Sequence, residues 1–93
     1  MKMNLKDIEL IEALDDYIKI YLKPTPVLTL MTLKNILEKL PPRDFIRVHR
    51  SFIVPVAKIE KFSKTKVWVQ GKEIPIGSSY AKVYDQLWEL SQK

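Results

Sequence analysis

Short apolar, β-prone runs, broken every few residues by turn signals, limit what this chain can fold into. Residues 17–22 alternate cleanly. Ile18, Ile20 and Leu22 fall on one face and Tyr17, Lys19 and Tyr21 on the other, the period of a half-buried strand. Asp15-Asp16 before this run is a turn. Lys23-Pro24-Thr25-Pro26 after it is a stiff connection, because two prolines remove two backbone donors. Residues 27–31 then return as a hairpin partner. Residues 7–14 are apolar and β-compatible, but Ile8, Leu10 and Ile11 break strict alternation. They read as a strand with a bulge, with a short helix as the alternative. Further strands are expected at 45–48, 52–56, 58–62, 65–70 and 73–76, with turns at Ser63-Lys64 and Gln70-Gly71-Lys72.

Two segments carry a helical period instead. Leu33, Ile36, Leu37 and Leu40 recur at i, i+3, i+4 and i+7, with Thr32 as N-cap and Pro41-Pro42 as stop. Tyr80, Val83, Tyr84, Leu87 and Trp88 mark a second amphipathic helix toward the C-terminus, with Ser78 or Ser79 as its cap. The expected fold class is mainly β and antiparallel, with one helix between strands and a C-terminal helix. At 93 residues, one domain over 1–93 is expected, and a 46% hydrophobic fraction excludes a disordered tail.

Composition removes several function classes. No cysteine means no disulfide and no thiolate metal site, and a single histidine leaves zinc with carboxylates for every other ligand. No cofactor is expected. No apolar run has the length of a membrane span, and the N-terminus lacks the apolar centre of a signal peptide, so a cytoplasmic location is expected. Enzyme chemistry is poorly supported. The two glycines form no phosphate loop, and Ser51 near His49 has no acid placed to orient the imidazole. Asp15 and Asp16 are adjacent turn residues rather than a general acid/base pair.

Charge points to a polyanion. Residues 1–42 are balanced, with six lysines against six acids. Residues 43–72 carry eight Lys and Arg against Asp44 and Glu60, and residues 73–93 carry two Lys against three acids. The net +5 therefore sits in the middle third, where it raises the local potential. Within that third, residues 45–54 read Phe-Ile-Arg-Val-His-Arg-Ser-Phe-Ile-Val. Two apolar runs hold Arg47, His49, Arg50 and Ser51 on a short tether. Ile46 and Val48 are expected to point inward, which puts Arg47 and His49 on the opposite side.

Arginine grips phosphate or guanine bidentately, and Ser51, Ser78 and Ser79 are short donors suited to phosphate oxygens. Tyr17 and Tyr21, expected to be exposed, could pack on sugar or thymine methyl. Lys34 and Lys64 are the further candidate contacts. There is no helix-turn-helix reading helix and no adjacent aromatic pair of the kind single-strand binders use. A duplex would be read with loops and strand ends. The alternatives are a β-type protein-interaction module and an RNA-binding β domain.

Four segments, in order, resemble the LytTR DNA-binding domain of bacterial response regulators. Residues 8–20 are similar to that family's opening strand, turn and Tyr-strand, and residues 32–40 to its helix. Residues 45–54 resemble its most recognisable motif, and residues 73–80 its closing strand. The resemblance implies an elongated antiparallel β fold that binds double-stranded DNA sequence-specifically, by loops entering successive major grooves. By position, one loop presents Asp16, Tyr17 and Lys19. A second presents His49, Arg50 and Ser51 with Arg47 beside it, and a third lies at Ser78 and Ser79.

The chain departs from the family pattern in three places. Gly77-Ser78-Ser79 stands near a customary arginine, Pro55 stands where asparagine is frequent, and the strand ahead of the opening one is largely missing. A fragment or stand-alone domain is expected, without the receiver domain that would pair two copies on repeated half-sites.

Overall fold

The computed structural model describes residues 4–92. Met1 to Met3, the start of the segment read above for a leader, and Lys93 lie outside them. Among the described residues there are eight strands and two α-helices. These are β1 (Leu10–Leu14), β2 (Tyr17–Tyr21), β3 (Val27–Leu30), α1 (Leu33–Lys39), β4 (Phe45–His49), β5 (Phe52–Pro55), β6 (Ile59–Phe62), β7 (Lys66–Val69), β8 (Lys72–Pro75) and α2 (Lys82–Ser91). They form two antiparallel sheets, one of five strands in the order β3-β2-β1-β5-β4 and one of three in the order β6-β7-β8. The body measures 36 × 24 × 24 Å.

The expected bulge in residues 7–14 is absent. A 3-10 turn at Leu5–Asp7 leads into β1, whose five residues pair with β2 in unbroken register. Leu10 and Ile11 are both buried because the five-stranded sheet is covered on both faces. Ile11 packs with Ile18, Ile20, Ile53 and the α1 residues Leu33 and Ile36. Leu10 packs with Val48, Val54, the second sheet's Val67, Val69 and Ile74, and the α2 residues Val83 and Leu87. Broken alternation here signals a strand between two layers.

The register aligns an apolar row across the whole sheet. Val27 pairs with Ile20, Ile20 with Ile11, Ile11 with Ile53, and Ile53 with Arg47. Arg47 thus caps an isoleucine row at the β4 edge and is half-buried. A β-bulge follows it at once. Arg47 pairs with Ile53 but His49 pairs with Phe52, so β4 carries one extra residue there.

Local chemistry explains the remaining joints. The Thr32 side chain accepts from the Asn35 N–H at 3.1 Å and caps α1 as expected. Gln70 and Gly71 make the two-residue β7–β8 turn, with φ of 53° and 78°. That pair of left-handed conformations is what glycine supplies at low cost. The cap expected for the last helix differs. Ser78 and Ser79 lie in a 3-10 turn (Ser78–Tyr80), and α2 starts from Ala81 with no side-chain cap.

Candidate nucleic-acid interface

Hydrogen bonds bring three turns to one rim of the molecule. The Ala13 N–H donates to the Ser51 carbonyl at 2.9 Å, tying the Asp15–Asp16 turn to the β4–β5 turn. On the other side the Gly77 N–H donates to the Val48 carbonyl at 2.8 Å, which seats the 3-10 turn of Ser78 and Ser79 beside His49. The Ile76 N–H donates to the Thr65 carbonyl at 2.8 Å, so the β6–β7 turn carrying Lys64 adjoins the same strand exit. Ser63 Oγ accepts from the Thr65 and Lys66 N–H groups at 3.2 and 3.1 Å, which folds that turn and leaves Lys64 exposed.

The central turn is built largely by its own side chains. Arg47 Nη2 donates to the Arg50 carbonyl at 2.7 Å, and Nε donates to the His49 carbonyl at 3.4 Å. Arg47 therefore turns inward along the chain and braces the turn, with its guanidinium 5.8 Å from the Tyr80 ring centre. The Ser51 N–H donates to His49 Nδ1 at 3.1 Å. That bond leaves the neutral ring's proton on Nε2, as a donor facing away from the turn. The His49 ring also packs on Phe52, with centroids 5.4 Å apart. Arg50 is exposed, and among the described residues the ion pair present is Lys66–Glu73, so no carboxylate holds its guanidinium.

Asp15, Asp16 and Tyr17 are exposed, and with Asn35, Arg47 and Arg50 they line a shallow depression of about 360 Å³. Asp15 adopts a positive φ of 46°, which Asp tolerates in tight turns. Along the outer edge of β4 runs a larger cleft of about 900 Å³, between the end of α1 and α2. Arg43, Arg47, Ser78, Ser79 and Lys82 contribute its polar wall. Phosphate contacts and base edges are what such a rim can serve chemically: exposed donors on short, braced turns, next to further cations.

Not every residue singled out in the sequence stands on the rim. Lys19 lies two residues along β2 from Tyr17, on the sheet face, with its ammonium 4.8 Å from the Tyr21 ring centre. Lys72 reaches the same ring from the second sheet at 4.4 Å. Tyr21 is half-buried rather than exposed, and its hydroxyl donates to Glu12 at 2.7 Å. Lys34 is exposed in the first turn of α1. Two residues escaped the sequence reading. Gly77 allows the close approach, since a Cβ there would lie 3.1 Å from Tyr80 and 3.4 Å from His49. Tyr80 flanks Arg47. One signal was available, a glycine at a strand exit where turns and close backbone contacts concentrate.

The Glu12 hydrogen bond, then burial and the nearby negative charge, push the Tyr21 phenol above its ordinary value of 10.0. The folded state therefore favours the protonated phenol. This contribution to stability is complete below pH 10.0 and disappears as pH rises through the folded-state value. Glu12→Ala, which removes the acceptor as well as the charge, should move the Tyr21 titration back toward 10.0, read by NMR of the Tyr21 ring. An unmoved midpoint would mean that the bond to Glu12 does not govern it.

Comparison with known proteins matches this arrangement to one family. The model of the LytTr DNA-binding domain matches residues 1–89. The sensory transduction protein LytT of Bacillus subtilis is 40% identical over 65 residues, covering 63% of this chain and 27% of that protein. LytT of Enterococcus faecalis is 30% identical over 92 residues, covering 92% of this chain and 38% of that protein. The chain thus spans well under half the length of these curated relatives. A solved LytTr DNA-binding domain from Bacillus cereus superposes with a TM-score of 0.82 at 26% identity, covering 95% of this chain and 86% of that one. The family model covers nearly the whole length, the solved domain shares the fold, and the chain belongs to the LytTr DNA-binding domain family.

Proposed function

We propose that the domain reads duplex DNA sequence-specifically with this rim, as the output module of a response regulator that controls transcription. The observation that carries the reading is the turn at residues 47–51. Its backbone is held by Arg47 and His49, while Arg50 stays exposed and, among the described residues, unpaired with a carboxylate. Bracing matters because an ordered loop loses less entropy on binding than a mobile one.

In this reading Arg50 takes a guanine edge bidentately in the major groove, and His49 donates from Nε2 to a base acceptor or a phosphate. Ser51, Ser78 and Ser79 offer hydroxyls to phosphate oxygens, and Lys34 and Lys64 supply point charges to the backbone. Asp16 and Tyr17 sit at the flank of the rim. A carboxylate there accepts from a cytosine amino group and disfavours a phosphate. Lys19 acts indirectly, by holding Tyr21. Within a longer protein whose other module pairs two copies, two such rims would read repeated half-sites, and work on chromosomal DNA places the protein in the cytoplasm.

Selection from random duplexes with the purified chain tests the reading. An enriched motif at moderate salt is expected, and its absence would count against sequence-specific binding. Lys64→Ala should weaken all sequences alike and reduce the slope of log K against log salt by about 0.9, the value for one phosphate contact. An unchanged slope would remove Lys64 from the interface.

A further inference from the structure

The joint between β3 and α1 also comes out at the rim. Tyr17 pairs with Leu30, so β3 ends beside the Asp15–Asp16 turn and the chain enters α1 there. Asn35 follows on α1, and it lines the depression of about 360 Å³ that Asp16, Tyr17 and Arg50 also line. Helical side chains lean toward the N-terminal end of their helix, which carries this one toward the rim. Its backbone is fixed twice. The N–H donates to Thr32 Oγ1 at 3.1 Å, and the α1 residues Leu33 and Ile36 are buried in the core. Asn35 itself is exposed, and among the described residues its side-chain amide has no hydrogen-bond partner.

Resting on duplex reading by this rim, we propose that Asn35 is a specificity-determining residue that takes an adenine edge while Arg50 takes a guanine nearby. Charge favours a base over a phosphate here. Asp15 and Asp16 balance Arg47 and Arg50 around the depression, so there is no net positive charge to hold a phosphate, whereas a base edge is neutral. The amide selects the base. It carries an acceptor and donors in one plane, where Arg50 has donors alone and Asp16 an acceptor alone. In the major groove adenine sets an acceptor, N7, beside a donor, the N6 amino group. Guanine offers acceptors alone, cytosine a donor alone and thymine an acceptor beside a methyl group, so adenine uses both ends of the amide. A short side chain on a braced helix also holds its direction better than one on a free loop.

Selection from random duplexes with the parent chain, Asn35→Ala, Asn35→Asp and Arg50→Ala tests this. Asn35→Ala should bind the parent's selected site about tenfold more weakly and lose an adenine preference at one position, different from the position that Arg50→Ala relaxes. Asn35→Asp keeps an acceptor and loses the donors, so the preferred base at that same position should change from adenine to cytosine, whose amino group donates. Both variants should melt with the parent, because Asn35 is exposed and the main-chain bond to Thr32 remains. A merely structural role would not exchange one base for another. An Asn35→Ala protein that keeps the parent's full preference overturns the proposal. So does one that weakens on all sequences alike, which would make Asn35 a phosphate contact, and so does an Asn35→Asp protein that still selects adenine. If Arg50→Ala relaxes its own position in those cases, reading by the rim stands and only the role of Asn35 falls. A parent chain that enriches no motif removes both.

Discussion

Ile11→Ala should cost the domain about 2–5 kcal/mol of stability. Ile11 is fully buried on the central strand of the five-stranded sheet, and its neighbours on both sides are isoleucines, Ile20 on β2 and Ile53 on β5. Leu33 and Ile36 of α1 cover that row from above. Truncation removes methyl groups from water-free packing and leaves a cavity that three strands and a helix cannot close together. A chain of 93 residues has about 5–14 kcal/mol in total at ~0.05–0.15 kcal/mol per residue, so one side chain accounts for a large share. Thermal unfolding followed by circular dichroism should show a drop of about 4–8 °C for each kcal/mol lost. Leu28→Ala is the control, because Leu28 is 60% exposed and should stay within about 0.5 kcal/mol. If Ile11→Ala melted like the parent, the row across the sheet would not be the packed layer described.

Alternation located β2, its return after the Pro24–Pro26 connection located β3, and the helical repeat with Thr32 located α1 within a residue at each end. Those readings succeed because face and cap are local properties. The failures share a cause. Leu10 and Ile11 side by side resemble a bulge until a second sheet is known to cover the Leu10 face, and that cover comes from residues more than fifty positions away. The register shifts lie after Arg47 on β4 and between Ile59 and Lys61 on β6, and depend on how those strands register with β5 and β7, which no alternation pattern encodes. Tyr21 reads as exposed from its own strand, yet Glu12 and Lys72 reach it from β1 and β8.

The rim follows the same rule. The motif at 45–54 was visible as a cluster of donors, and the structure supplies their division of labour. Arg47 belongs to the turn, His49 accepts from Ser51, and Arg50 is left outward.

That division separates the effects of the two arginines on binding. Arg50→Ala should weaken binding to the selected site by about 1–3 kcal/mol and relax the preference at one base position, because the proposed guanidinium–guanine contact is lost while the turn persists. Its melting temperature should stay close to the parent's, since Arg50 is exposed and the ion pair present among the described residues is Lys66–Glu73. Arg47→Ala should weaken binding by a similar factor through another route. It removes the donors to the carbonyls of His49 and Arg50, so the turn that presents both residues is free to rearrange. Preference should then blur at every position the turn reads, and stability should fall by about 1–2 kcal/mol for a half-buried charged donor pair. Arg47→Lys should not restore binding, because an ammonium lacks the planar fork whose Nε and Nη2 span two carbonyls at once. Affinities for the selected duplex and its single-base variants at fixed salt, read beside thermal melts, distinguish the two arginines. An Arg50→Ala protein that kept its full base preference would remove Arg50 from base reading. An Arg47→Ala protein that lost preference at a single position, with an unchanged melt, would mean that Arg47 touches a base itself.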